Sequence, residues 1–386
     1  MEERTRAYLR GRFRDHYRRR PPSGPPDAEA REWGYIPFTA GPETTMVRHR
    51  SLLDLGRLGD FLVRERPRHV YFSAGRYEDP DAGTMDAKGW RDSDLVFDLD
   101  ADHLPGVDEA TPYAEMLDRC KDKLRSLLSL LREDFGFEDR TVVFSGGRGY
   151  HVHVRDEGIR DLGREARREI AEYVQGVELR EEAYVRTVSR DGVNRRVLAT
   201  DGGWGRRVHE RLLAFLEELR DLDDDAALER LQSFEGIGEG RAGKILETAR
   251  ARPEAVEAGQ LELGGTGMRR LVQRLAERAV DEESAHIDEP VTTDVNRLIR
   301  LPGSLHGGTG LLVREVDEAD LGEFDPLADA VPETFRGHEV SVEVTDGGEV
   351  EFDTRTFTVP EGVQTLPEYA AVFLMARGRA EKGKEE

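Results

Sequence analysis

Asp94-Leu95-Val96-Phe97-Asp98-Leu99-Asp100-Ala101-Asp102 sets four carboxylates in nine residues, threaded through Leu, Val and Phe. Read as a strand, the stretch sends Asp94, Val96, Asp98 and Asp100 to one face and Leu95, Phe97 and Leu99 to the other, into a core. Two carboxylates at i and i+2 on a displayed face lie close enough to share a hard divalent cation. Mg²⁺ in particular accepts one or two carboxylates together with substrate phosphates. An acidic chain also produces solvated strand faces of this composition, so the reading turns on two further segments.

The first is Phe144-Ser-Gly-Gly-Arg-Gly-Tyr-His-Val-His-Val154, read as two strands, Thr141–Phe144 and Tyr150–Val154, joined by a turn with three glycines and Arg148. Exposed backbone N–H groups beside a guanidinium fork suit phosphate oxygens. His151 and His153 share a face of the second strand. The other segment, Ile287–Gly310 (IDEPVTTDVNRLIRLPGSLHGGTG), brings Asp288, Arg297, Arg300 and His306 into a run punctuated by Pro and Gly. A tight hairpin with a solvated Arg and an ordinary loop are the bland alternatives for the two segments.

Working outward, Leu9, Phe13 and Tyr17 mark one face of a helix over 2–20, ended by the PPSGPP run at 21–26. Short strands are expected at Gly34–Phe38, Met46–Arg48 and His69–Ser73, and a helix over Tyr113–Phe135. From Leu162 to about Glu283 the pattern turns to charged, Leu- and Ala-rich helix, interrupted by the acidic loop Asp221–Asp225. Strands resume at Leu311–Val316, Val340–Val344 and Glu349–Thr358, with Asp346-Gly347-Gly348 as the turn between the last two, before a closing helix over Pro367–Arg377. The expected division is a core of residues 1–160 and 284–386 with a helical insert at 161–283.

The chain has 386 residues, a net charge of −22, 37% hydrophobic and 35% charged residues. Such an acidic balance weighs against a nucleic-acid partner, because phosphate binding wants cations. The cations, however, are nearly all Arg, and acids are spread along the whole chain, which points to a proteome adapted to high salt, as in a halophilic archaeon. Screening there is almost complete beyond a few ångströms, so local clusters outweigh the total. Arg4, Arg6, Arg10, Arg12, Arg14, Arg18, Arg19 and Arg20 form such a cluster. One cysteine, Cys120, excludes a disulfide framework and a cysteine-rich zinc site. With no apolar run near the roughly 20 residues of a membrane span, a cytoplasmic location is expected.

DLVFDLDAD, FSGGRGYHVHV and IDEPVTTDVNRLIRLPGSLHGGTG, in this order, resemble the three catalytic motifs of the small subunit of archaeal and eukaryotic DNA primase. TRAYLRGRF, REWGYIPF, TMVRHRSL, HVYFSAGRYEDP, MDAKGWRDSDLVFDLD and PEYAAVFLMARGRAE extend the resemblance nearly end to end. It implies an α/β (α+β) catalytic core with mixed β-sheets and an inserted helical subdomain. It also implies the function: template-directed synthesis of short RNA primers, with DNA primers a further option, on single-stranded DNA by two-metal nucleotidyl transfer.

By that resemblance Asp98, Asp100 and Asp288 are the catalytic, metal-binding triad for two Mg²⁺ or Mn²⁺ ions. Ser145, Arg148 and His151 are nucleotide-phosphate contacts, Arg300 sits on the triphosphate, His306 contacts nucleotide, and Arg48 lies near the incoming nucleotide. Gly147 stands where some relatives carry a basic residue. The family's zinc knuckle is absent: His103 and Cys120 are the only His or Cys between 101 and 150, so structural zinc is not expected. The implied partners are a primase large subunit, in a heterodimer, together with template DNA and nucleoside triphosphates.

Alternatives are a related primase-polymerase or repair polymerase that extends without initiating, a phosphoesterase built on His151 and His153, and a non-catalytic DNA-binding subunit. Within the insert, Phe234–Ile245 (FEGIGEGRAGKI) resembles the turn of a helix-hairpin-helix element, a pattern that serves equally as a packing turn.

Overall fold

The computed structural model describes every residue except 40–44, 109, 178, 191–192, 354 and 385–386. The chain forms two compact units: Met1–Leu124, Phe137–Ala171 and His286–Glu386 make one, and Arg125–Gly136 with Glu172–Ala285 the other. Among the described residues no helix is long and apolar enough to cross a membrane.

Strands β1 (Arg31–Ile36), β2 (Val47–Arg50), β3 (His69–Tyr77), β4 (Trp90–Ser93), β5 (Leu95–Asp100), β6 (Arg140–Phe144) and β7 (Gly149–Val154) supply most of two sheets in the first unit. One runs Leu298–Arg300, β3, β1, β2, with β4 also on β3; the other runs Arg314–Val316, β6, β7, β5. Every described pair is antiparallel, so the fold is α+β as expected, but its sheets are not mixed. The short turn between β6 and β7 explains this locally, since parallel neighbours need a long crossover.

Alternation in β5 is realised as read. Leu95, Phe97 and Leu99 are completely buried, as are Tyr150, Val152 and Val154 on the same face of β7. Each such side chain contributes about 1.5–3 kcal/mol by leaving water. On the opposite face Val96 packs with Ala74, Ile299 and Val291, and His153 stacks on Phe72 with ring centroids 6.0 Å apart. The two sheets therefore close on one another at this end, and the Asp98 and Asp100 end stays open.

Asp94 departs from the expectation. The alternation places it on the displayed face, yet it is fully buried, just before β5 begins. Arg31 grips both of its oxygens at 2.9 and 3.1 Å while bonding the Ser73 and Ala74 carbonyls at 2.8 Å, and Arg155 adds a contact of 3.1 Å. A buried carboxylate persists only with such partners.

Near the C-terminus, Glu339–Val344 pairs with Gly362–Pro367 and Ala380–Lys382, not with the segment after Gly348. Residues 348–359 fold on themselves as Gly348–Phe352 and Arg355–Val359, the chain turning through Asp353 at φ +53°. The expected single strand over 349–358 is thus a hairpin.

The second unit contains helices Gly203–Asp221, Asp224–Gln232, Glu239–Ala251 and Gly265–Glu283. Their apolar stripes, including Val208, Leu212 and Phe215 on one and Met268, Leu271 and Leu275 on another, are buried. It is not wholly helical: Val185–Arg190 and Val193–Leu198 form an antiparallel hairpin, in segments that carry β-branched Val and Thr. Phe234 and Ile237 are buried in the turn before Glu239–Ala251, and Gly236 takes φ +84°, which a side chain would disfavour.

Candidate active site

Register in the second sheet sets the geometry. Asp98 pairs directly with His151, Asp100 with Gly149 and Val96 with His153, so Asp98, Asp100 and His151 share a face. His151 Nε2 lies 3.4 Å from Asp98 Oδ1. Asp288 joins from distant sequence: its backbone N–H donates to the Asp98 carbonyl at 2.8 Å, and it caps the short helix Glu289–Thr293 without spending its carboxylate on a capping bond. Arg300 ends the strand Leu298–Arg300 opposite Tyr71 and stands over that ring, 5.8 Å from its centroid.

The turn Ser145–Gly149 is shaped by contacts only glycine tolerates. Gly146 sits at φ +73°, and a Cβ there would come within 2.7 Å of His306 Cβ; at Gly149 it would fall 1.7 Å from the Leu99 carbonyl oxygen. Ser145 is buried, its Oγ accepting from Gly147 N–H at 3.3 Å. Arg148 turns to acids, with Nε 3.6 Å from Asp100 Oδ1 and Nη1 on Asp102. His306 is held by Thr309, its Nδ1 3.1 Å from Oγ1, and by an edge contact to His69 with centroids 4.8 Å apart.

Asp98, Asp100, Ser145, Arg148, Arg300 and His306 line a cleft of about 390 Å³ together with Arg68, Thr309 and Arg377, whereas His151 and Asp288 are not among its lining residues. A second cleft, about 660 Å³, lies within the helical unit and contains none of them. Arg48, expected near the incoming nucleotide, is absent from the cleft lining. It bonds the buried Glu32 with both Nε and Nη2, at 3.1 and 3.3 Å.

Sequence reading missed Arg68 and Arg377. Arg377 lies in the quoted PEYAAVFLMARGRAE stretch and stands 5.0 Å from the ring centroids of Tyr113 and Phe373. Its place at the end of the helix Glu368–Ala376 was the available signal.

The electrostatics follow from burial. The Asp98 carboxyl is raised to about 7 by desolvation; Arg300 opposes this, and Asp100 and Asp288 reinforce it. Desolvation, then Arg300, lowers His151 to about 3, and His306 lies well below the usual histidine range for the same reasons. Both rings are therefore neutral near pH 7. Among the described residues no three His, Cys, Asp or Glu side chains form a ready-made metal cluster. The donor set nevertheless fits Mg²⁺ or Mn²⁺: hard oxygens, mutually repelling, with room for water and phosphate oxygens to complete the coordination.

Residues 97–318 match a family model described as DNA primase small subunit. The chain is 59% identical to the DNA primase small subunit PriS of Haloarcula marismortui and 56% identical to that of Halorubrum lacusprofundi, over 100% of both chains in each case. To the protein of the same name from Methanococcoides burtonii it is 41% identical, over 99% of this chain and 100% of the relative.

Proposed function

From the premise that the chain belongs to the DNA primase small-subunit family, we propose that it is the catalytic subunit of a primase, a nucleotidyltransferase that makes short primers on single-stranded DNA, and that the cleft at Asp98 is where it acts. The observation that carries this is the delivery of Asp288 onto Asp98 by a backbone hydrogen bond of 2.8 Å. It sets an acidic residue from nearly two hundred positions further along the chain beside Asp98, which itself lines a cleft with Arg148 and Arg300.

Asp98, Asp100 and Asp288 would hold the divalent cations. When bound, these supply Lewis acidity to the attacking 3′-hydroxyl and to the leaving pyrophosphate.

The remaining roles belong to the chain. Arg148 exchanges Asp100 and Asp102 for triphosphate oxygens, and a guanidinium fork on phosphate is the stronger partner when the cations neutralise those acids. Arg300 brings a second positive charge to the phosphates. Ser145 and the N–H groups of the glycine turn offer donors to non-bridging oxygens. His306 donates as a neutral ring whose orientation Thr309 fixes. His151, buried behind Asp98, acts by orienting that carboxylate rather than by touching nucleotide. Arg48 reaches substrate only by leaving Glu32.

A large subunit is the natural partner, as the relatives' name implies. One metal site accounts for one nucleotide and a growing 3′ end, whereas initiation needs two triphosphates held on a template with no duplex to anchor them. The isolated chain should therefore extend a primer and start chains poorly. Incubation with primed and unprimed single-stranded DNA and labelled triphosphates, with and without large subunit, tests this. Absence of incorporation in every arm would remove the assignment.

A further inference from the structure

Residues 1–68 contain fifteen Arg, no Lys and ten acids, a net charge of +5, while the other 318 residues carry −27. In the rest of the chain Arg is commonly neutralised, as Arg206, Arg207 and Arg211 are by Glu133, Asp134, Glu210, Glu282 and Glu283. In the N-terminal segment Arg18, Arg19, Arg20, Arg50, Arg57 and Arg66 have no carboxylate partner among the described residues, and all but the half-buried Arg66 are exposed.

The fold strings several of these cations together. The helix Glu3–Arg19 ends in Arg18, Arg19 and Arg20 and runs into Pro21, which lies against Gly59: a Cβ on that glycine would sit 3.1 Å from Pro21 Cβ. Gly59 lies in the first turn of the helix Leu58–Glu65, which Arg57 precedes and Arg66 follows. The chain then reaches Arg68, whose Nε donates to the Gly307 carbonyl at 3.2 Å and whose side chain lines the catalytic cleft beside Asp98 and Arg300. Pro22 meets Gly303 of the same catalytic segment. Guanidinium groups without a carboxylate partner among the described residues thus lead from the end of the first helix to the rim of the cleft.

We propose that this face grips the phosphate backbone of the single-stranded template as it approaches the cleft, an inference that rests on the polymerase reading above. Strong screening removes long-range attraction in an acidic, salt-adapted protein, so binding must come from groups at contact distance. Arg suits that task because its planar fork pairs phosphate with two hydrogen bonds.

The test is the combined variant Arg18→Gln, Arg19→Gln and Arg57→Gln in the full chain, all exposed positions outside the cleft, with circular dichroism to verify folding. Anisotropy of a fluorescein-labelled oligodeoxythymidylate across a KCl series should show affinity weakened about tenfold or more. The slope of log K against log salt should fall by about 2, at roughly 0.7 per lost contact. Binding of a labelled nucleoside triphosphate should not change. Asp98→Asn, expected to abolish synthesis, should bind the oligonucleotide normally, so that binding and chemistry fail separately. Unchanged affinity and slope overturn the proposal; if the variant instead loses only association with a large subunit, the face belongs to protein.

Discussion

Asp94 and Asp98 lie four residues apart on one stretch and meet opposite treatment. At the closed end of the sheets, Arg31 and Arg155 compensate a fully buried Asp94. At the open end Asp98 has a neutral His151 as its nearest side-chain partner and two more carboxylates close enough to raise its pKa. One arrangement stabilises the fold, whereas the other stores repulsion that a bound divalent cation would relieve. The contrast separates architecture from chemistry within a single motif.

Exchanging the chemistry of the two ends is the severest challenge to it. Asp98→Asn should lower nucleotide incorporation by at least about 10²–10³-fold while leaving the fold intact. It should raise unfolding stability by about 2 kcal/mol at pH 8, because a carboxylate charged against its surroundings is removed. Asp94→Asn should do the reverse, costing about 3–5 kcal/mol in a denaturant titration by leaving Arg31 uncompensated, with residual activity in whatever remains folded. Equal stability loss in both variants would erase the distinction.

A smaller effect concerns pH. Burial lowers His16 to about 4, so between pH 6.5 and 4 the unfolded chain takes up this proton and the native chain does not. Stability from this group is thus present above pH 6.5 and lost as pH falls toward 4, to a ceiling of about 3 kcal/mol. Thermal melts of the native chain and of His16→Gln over that range should show the variant less acid-sensitive; parallel curves would place the acid response elsewhere.

Arg148→Ala should raise KM for nucleotide about tenfold, with a smaller change in kcat, since it removes a phosphate clamp. The smallest effect is expected for Arg48→Ala: its partner Glu32 also lies 3.6 Å from Lys88 Nζ, so stability should change by about 1 kcal/mol or less. A KM change as large as that of Arg148→Ala would bring Arg48 to the nucleotide after all.

The strand alternation that reveals Asp98 and Asp100 is legible because its period is two and the interleaved residues are Leu, Val and Phe. Asp94 shares that period, and only the position where the partner sheet closes distinguishes it, which no local pattern contains. The glycine turn was visible as Ser145–Gly149, but the reason it needs Gly146, the approach of His306 from 160 residues away, was not. Arg68 and Arg377 arrive in the cleft through tertiary packing of a strand entrance and a C-terminal helix, and neither belongs to the three motifs that hold the acidic residues. The strand expected over 349–358 failed because the alternation continues through both arms of a hairpin, concealing the reversal at Asp353.

The chain leaves the first unit after Ala171 and returns at His286, two residues before Asp288 is fastened to β5. Closing so long an excursion costs entropy that grows only logarithmically, about 0.6 kcal/mol for each doubling of its length. Evolution can therefore lengthen, trim or replace the intervening segment at little thermodynamic penalty, provided the returning carboxylate lands in register. During synthesis the same arrangement delays the arrival of Asp288 beside Asp98 until the whole excursion has left the ribosome.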